Sequence, residues 1–283
     1  LSETRITAAR RRKLAALHDP LNGLYLRYNQ RAFVDPDPLV PLYAYADPRD
    51  QEIVGLITAS LAFGNVKQIL KSIDLVLRAF PEPARTLPGL SQDVLNARLA
   101  GFRHRYVTGV EMASLLTGVG TILREHGSIG ACFAALDDPE GPTLLPTLIR
   151  FVHLLRSQGT IEKNYLLPDP ALGSACKRWF MFLRWMVRKD DVDLGLWSGL
   201  GAHRLIVPVD THMHRVALGL GLTRRRMADL KTALEITQAF QVVCPEDPVR
   251  YDFCLTRLGI RDDGDMDAFL RETRILTKLT PAP

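Results

Sequence analysis

A chain of 283 residues, 47% of them hydrophobic and 24% charged, carries enough apolar side chains for one large core or two smaller ones, which excludes a disordered protein. Its formal net charge of +5 suits a polyanionic partner, and no apolar run approaches the roughly 20 residues of a membrane span, so no membrane partner is expected. Cys132, Cys176, Cys244 and Cys254 show no Cys-x-x-Cys spacing, which points to reduced thiols in the cytoplasm rather than to disulfides or zinc.

Residues 4–17 have the composition of a helix with Arg5, Arg10, Arg11, Arg12 and Lys13 on it, a basic face for water or for a phosphate backbone. A short helix and an ordered connection are expected from Asn22 to Tyr45, around Asp35-Pro36-Asp37-Pro38. Asp47 and Pro48 read as an N-cap and a first-turn proline opening a helix through Phe63, which Gly64 ends. Asn65 then caps a second helix, whose apolar positions Val66, Ile69, Leu70, Ile73, Val76 and Leu77 recur with helical period. Lys67 and Lys71 on that helix are placed to reach phosphates. Thr108-Gly109-Val110-Glu111 matches a capping box before a helix that Gly127 ends. Periodicity gives further helices at about 128–136 and 143–157.

Residues 165–177 form a turn-rich entry into a helix running to about Arg188. Free backbone N–H groups at such an entry, around Gly173 and Ser174 with Arg178 beside them, would make an anion site without needing side chains. Lys177, Arg184 and Arg188 fall on one face, at i, i+7 and i+11, a basic stripe expected to snorkel over a helix otherwise filled by Trp179, Phe180, Leu183 and Trp185. Residues 195–201 read as a loop. Beyond it an apolar run stops at Pro208 and Asp210, and Asp210 followed by Met213, Val216, Ala217 and Leu220 has the residue type and position of an N-cap. A capping carboxylate accepts backbone N–H bonds and feels the positive helix end, so its ionised form is favoured. That suits a plain cap and also suits a site where positive charge develops on a substrate. An amphipathic helix from about Met227 to Val242 and a final helix over about 245–258 complete an all-α chain with no internal repeat.

Val209-Asp210-Thr211-His212 followed by Arg215-Val216 resembles the segment that carries the catalytic aspartate in the helix-hairpin-helix/Gly-Pro-Asp superfamily of DNA glycosylases, the endonuclease III relatives. Gly173-Ser174-Ala175-Cys176-Lys177-Arg178 is similar to the entry of that family's second hairpin helix, which makes Lys177 the counterpart of the lysine that attacks the sugar. Lys177 lies 33 positions before Asp210, a spacing closer to the archaeal 8-oxoguanine branch than to endonuclease III, and the iron–sulfur cysteines of some relatives are missing after the aspartate. Tyr28-Asn29, Ala62-Phe63-Gly64-Asn65-Val66-Lys67 and residues 245–253 resemble an uncharacterised bacterial family assigned to the same superfamily.

The resemblance implies two helical domains with a cleft between them: a barrel over 50–191 that includes the hairpin-like element, and a second domain built from 1–49 and 192–283. Lys177 and Asp210 would face each other across the cleft. Asn65 would sit in a turn that presents a polar side chain to the DNA, Phe180 on the wall of a base pocket and Asp252 on a helix contributing to that pocket. Lys67, Gly173, Ser174 and Arg178 would meet the DNA. The implied protein is a monomer of the cytoplasm, associated with the nucleoid, that needs no cofactor or metal and acts on double-stranded DNA containing a damaged base.

The expected reaction is excision of an oxidised purine such as 8-oxoguanine, with cleavage of the strand at the resulting abasic site. A fixed carboxylate at Asp210 would stabilise positive charge on the sugar, and the Lys177 amine would add at C1′. Two other readings stay open. Asp210-x-His212-x-His214 has the residue types of a metal-dependent hydrolase, although positions i and i+2 of a helix point roughly 200° apart and do not chelate one ion. A non-catalytic DNA-binding relative would keep the fold alone.

Overall fold

The computed structural model describes residues 6–161, 164–261 and 263–279. Residues 4 and 5 of the first expected helix, Arg5 among them, lie outside the described residues. Short polar side chains start the helices that frame the candidate site. Asp47 Oδ1 accepts from the Arg49 amide at 2.8 Å and opens Pro48–Leu61. Asn65 Oδ1 accepts from the Lys67 amide at 3.0 Å and opens Val66–Ala79. Thr108 and Glu111 form the capping box of Gly109–His126, which ends at Gly127 in the left-handed conformation. Asp210 Oδ1 accepts from the Met213 amide at 2.8 Å and opens Thr211–Gly219.

The chain is α-helical, and its strands among the described residues are the pairs Arg103–His104 and Val107–Thr108, joined antiparallel. Several boundaries differ from those read in the sequence. The first basic helix runs as Ala8–Ala15, and the short helix expected from Asn22 starts earlier, as His18–Tyr28; Pro20 keeps the two from joining, because its ring would meet the carbonyl of residue 16 in a continuous helix. Two prolines, Pro245 and Pro248, have the same effect later: the helix expected from 245 starts only at Asp252 and runs as Asp252–Ile260. It is not the last, since Met266–Leu279 follows, opened by Asp265 Oδ1 accepting from the Ala268 amide at 2.7 Å.

The helices pack in two sets. Lys177–Val187 lies along Pro48–Leu61, and Gly109–His126 along Leu145–Gln158. Ala8–Ala15 packs on Leu230–Val243 and Met266–Leu279, while Asp252–Ile260 packs on His18–Tyr28 and Thr211–Gly219. No helix among the described residues is long and apolar enough to cross a membrane, and all four cysteines are free and buried.

The two sets are tied by buried charge. Arg184 and Arg188, expected to snorkel, are each only 5% exposed, because carboxylates from the following loop and from the chain's C-terminal third close over them. Arg184 Nε donates to Asp193 Oδ1 at 3.1 Å, and its Nη1 donates to Asp252. Arg188 donates to Asp193 at 2.8 Å, to Asp247 at 2.6 Å and to Asp190. Asp190 also accepts from Tyr25 Oη at 3.0 Å and Asn29 Nδ2 at 2.7 Å, which brings the helix His18–Tyr28 into the network.

A second buried carboxylate organises the first set. Glu52, 3% exposed, accepts from the amides of Ile129 at 2.6 Å and Gly130 at 2.8 Å and from Trp197 Nε1 at 2.8 Å. Burial pushes its pKa up despite these three donors. Glu52→Gln turns an acceptor oxygen into an NH₂ group facing an N–H, so the variant is expected to lose about 1–3 kcal/mol of unfolding free energy in urea titrations.

Candidate functional site

The entry to the Lys177 helix is assembled one turn at a time. Asp169 Oδ1 accepts from the Ala171 amide at 2.9 Å and starts a 3-10 turn, Pro170–Leu172, which Gly173 leaves with φ of 80°. A side chain is disfavoured at that φ, so glycine suits the position. Cys176 has φ of 47° as well, a left-handed residue with a side chain, placed directly before Lys177. Gly173 gives its amide to the Pro170 carbonyl at 3.2 Å and its own carbonyl accepts from Leu230 at 3.0 Å, while Ser174 pairs with Asp229. The turn is thus fastened to the start of Leu230–Val243. The Gly173 amide expected to face a phosphate is engaged inside the turn, whereas Ser174 is exposed.

Lys177 is the first residue of Lys177–Val187, and its Nζ lies 2.8 Å from Asp210 Oδ2. Both side chains remain over a third exposed, at 39% and 35%, so the pair is open to solvent. The two carboxylate oxygens of Asp210 are divided between tasks: Oδ1 caps its helix and Oδ2 meets the lysine. Burial raises the Asp210 pKa, but the adjacent ammonium and the Met213 amide outweigh it and hold the carboxyl below the usual aspartate range. Asp252 lies deeper, 7% exposed and bound to Arg184. Burial pushes its pKa up, Arg184 opposes this, and the charge of Asp210 adds to the rise.

The histidines flanking Asp210 turn away from it and from each other. His212 Nε2 lies 3.3 Å from the Leu255 carbonyl, and its ring packs flat on Gly259, where an added Cβ would come within 1.9 Å. His214 Nε2 lies 2.8 Å from the Arg225 carbonyl. Asp210, His212 and His214 therefore do not converge, and among the described residues no group of three or more His, Cys, Asp or Glu side chains is placed to hold a metal ion.

Phe180, expected on the wall of a base pocket, is 1% exposed, and Trp179, Trp185 and Phe253 are buried with it. These rings fill the core, while Phe182 and Met186 of the Lys177 helix pack against Gly55 of Pro48–Leu61. The aromatic surface beside Lys177 comes instead from Phe63, Tyr106 and Tyr165. Phe63 and Tyr106 stack with centroids 5.5 Å apart, and Tyr165 meets Tyr106 edge-on at 4.2 Å. Tyr106 and Tyr165 are about half exposed. Arg178 lies over the Phe63 ring at 5.0 Å and donates to the carbonyls of Ser60 at 2.6 Å and Tyr165 at 2.9 Å. Its guanidinium thus clamps the aromatic group rather than standing free for a phosphate.

Asn65 and Lys67 follow Phe63 directly and are exposed, with Asn65 acting as the cap of its helix. The structure therefore pairs Lys177 with Asp210, sets Arg178 on the aromatic surface with Asn65 and Lys67 just beyond Phe63 in the chain, and leaves Asp252 bound to Arg184 and Phe180 inside. Phe63, Tyr106 and Tyr165 escaped the sequence reading because each comes from a different segment, and Tyr106 sits on a hairpin of two-residue strands too short to carry a pattern.

Residues 37–261 match the model of a family described as a protein of unknown function, DUF2400. No curated protein and no solved structure matches the chain.

Proposed function

The chain belongs to the DUF2400 family, and from the geometry within the matched span we propose that it is a DNA glycosylase of base excision repair that also cleaves the strand at the abasic site. The observation that carries this reading is the 2.8 Å approach of Lys177 Nζ to Asp210 Oδ2, a nucleophile and a fixed carboxylate at the starts of two helices, both open to solvent. As the bond from C1′ to the base breaks, its electron pair leaves with the base and positive charge grows on the sugar. Asp210, ionised and oriented by its bond to the Met213 amide, stabilises that charge without reorganising. The Lys177 ammonium gives a proton to the departing base, and the amine so freed forms the new bond at C1′. Opening of the sugar ring then gives a Schiff base, from which the strand is cleaved.

Two helical domains, 50–191 and 1–49 with 192–283, with a cleft between them, are the proposed arrangement; the two packing sets agree with it except that Val40–Ala44 and Trp197 pack on the first set. The exposed rings of Tyr106 and Tyr165 beside Asn65 suit a DNA strand from which one base has been withdrawn. Double-stranded DNA with a damaged base is the proposed partner, an oxidised purine such as 8-oxoguanine the proposed lesion, and a monomer associated with the nucleoid the proposed state. Recognition of 8-oxoguanine requires an acceptor for the N7–H that oxidation creates, a contact worth roughly 1–3 kcal/mol when buried. Asp252 is bound to Arg184, so a backbone carbonyl suits that role better. The divergent rings of His212 and His214 disfavour a metal-dependent hydrolase.

Borohydride trapping tests the reaction. Wild-type protein is expected to form a covalent complex with duplex DNA containing 8-oxoguanine, and Lys177→Ala is expected to form none. Trapping only on hypoxanthine or alkylated purines would keep the glycosylase and change the lesion. Trapping that persists in Lys177→Ala would assign a different amine. Absence of both trapping and excision on every defined lesion would leave a DNA-binding relative without this chemistry.

A further inference from the structure

Away from the lysine–aspartate cleft, the helix Ala8–Ala15, the C-terminal end of Thr211–Gly219 and the helix Met266–Leu279 border a cavity of about 640 Å³. Its floor is apolar, with Leu14 and Leu220 buried there. Its rim carries Arg10, Lys13, Arg224 and Arg274, and no Asp or Glu is among the described residues that line it.

Two of these cations are anchored to the carbonyl-rich segment that closes Thr211–Gly219. Arg10 Nη2 donates to the Leu222 carbonyl at 2.7 Å and meets Glu235 at 3.3 Å, and Arg274 Nε donates to the Gly219 carbonyl at 3.4 Å. They complement the negative helix end. Lys13 and Arg224 are exposed, and neither has a hydrogen bond or ion pair among the described residues. Their charge is therefore surplus to the fold.

We infer that this cavity is a seat for a phosphate group, held by Lys13 and Arg224. A phosphate accepts several charge-assisted hydrogen bonds at once, and an apolar floor strengthens each of them by lowering the local permittivity. The loop that carries Arg224 is tied to the entry of the Lys177 helix. Arg224 belongs to the loop in which Arg225 binds Asp229 at 2.7 Å, and Asp229 pairs with Ser174, three residues before Lys177. Two sources supply such a group: the backbone of a DNA duplex beyond the cleft, which rests on the function proposed above, and a free phosphate compound.

The test is the double variant Lys13→Ala/Arg224→Ala, read in two binding assays that require no excision. If the phosphate is a backbone phosphodiester, the slope of log affinity against log salt on undamaged duplex falls in magnitude by about 2. If it is a free compound, that slope stays and inorganic pyrophosphate raises the melting temperature of the wild-type protein but not of the variant. The control Arg11→Ala/Arg12→Ala removes as much charge, from the helix Ala8–Ala15 but outside the cavity lining, and it is expected to leave both readouts near wild type. Equal effects from variant and control, or no effect in either assay, would overturn the seat. A wild-type protein that binds in this way yet excises no lesion would sink the glycosylase reading and leave the seat standing. Lys13 and Arg224 lack partners among the described residues, so circular dichroism of the double variant is expected to match wild type.

Discussion

Asp210→Asn is expected to slow single-turnover excision of the lesion by about 10²–10³-fold, while affinity for the duplex stays within a few-fold because that affinity comes mainly from phosphate contacts. The substitution separates two properties that Asp210 combines. An asparagine oxygen can accept from the Met213 amide as Oδ1 does now, so the helix Thr211–Gly219 keeps its start. What is lost is the negative charge beside Lys177. The pair with Lys177 is over a third exposed, and screening by solvent limits its own contribution to about 1 kcal/mol or less. A melting temperature close to wild type together with a collapsed rate is therefore the expected combination. A variant that excises at the wild-type rate would remove Asp210 from the chemistry.

The pH dependence follows from the same carboxyl. Its pKa in the folded protein lies below the ordinary aspartate value, so the ionised form and its interaction with Lys177 are fully present above that value. They are lost only as pH falls through the depressed pKa. Excision should accordingly show no loss assignable to Asp210 across the neutral range.

The largest effect on stability is expected at Asp193, which is 1% exposed and holds both Arg184 and Arg188. Asp193→Ala leaves each guanidinium buried with one carboxylate fewer. Removing one member of a buried ionic group typically costs about 3–5 kcal/mol, a large share of the roughly 5–15 kcal/mol that holds a domain folded. Equilibrium unfolding in urea measures it. Asp193→Asn keeps the acceptor oxygen and is expected to fall between wild type and Asp193→Ala. A loss under 1 kcal/mol in Asp193→Ala would show that Asp190, Asp247 and Asp252 suffice for the two arginines.

The helix starts around the cleft were legible in the sequence because each is written locally: Asp47, Asn65, Thr108 and Asp210 bond amides two or three residues ahead. The proximity of Lys177 to Asp210 was legible only through resemblance, since a separation of 33 positions carries no local instruction to meet. The burial of Arg184 and Arg188 was hidden for a similar reason. A cationic stripe on an apolar helix has the same pattern whether it reaches water or meets Asp193, Asp247 and Asp252, and those carboxylates lie up to 68 positions away. The helix Met266–Leu279 is different: Asp265 and the spacing of Met266, Phe269 and Leu270 announce it, and only the assumption that 245–258 closed the fold concealed it.

The division of labour between the two oxygens of Asp210 narrows what can stand at that position more than either task alone would. Serine, threonine or asparagine would satisfy the amide but bring no charge. Glutamate would bring the charge on a longer arm, shifted from the geometry that a capping oxygen needs. Only aspartate meets both conditions at this backbone position, so a lineage that dropped the chemistry would be free to drift to serine or asparagine without unravelling a helix. The identity of this one residue in other members of the family is thus a marker of whether each still works as a catalyst, readable without any structure.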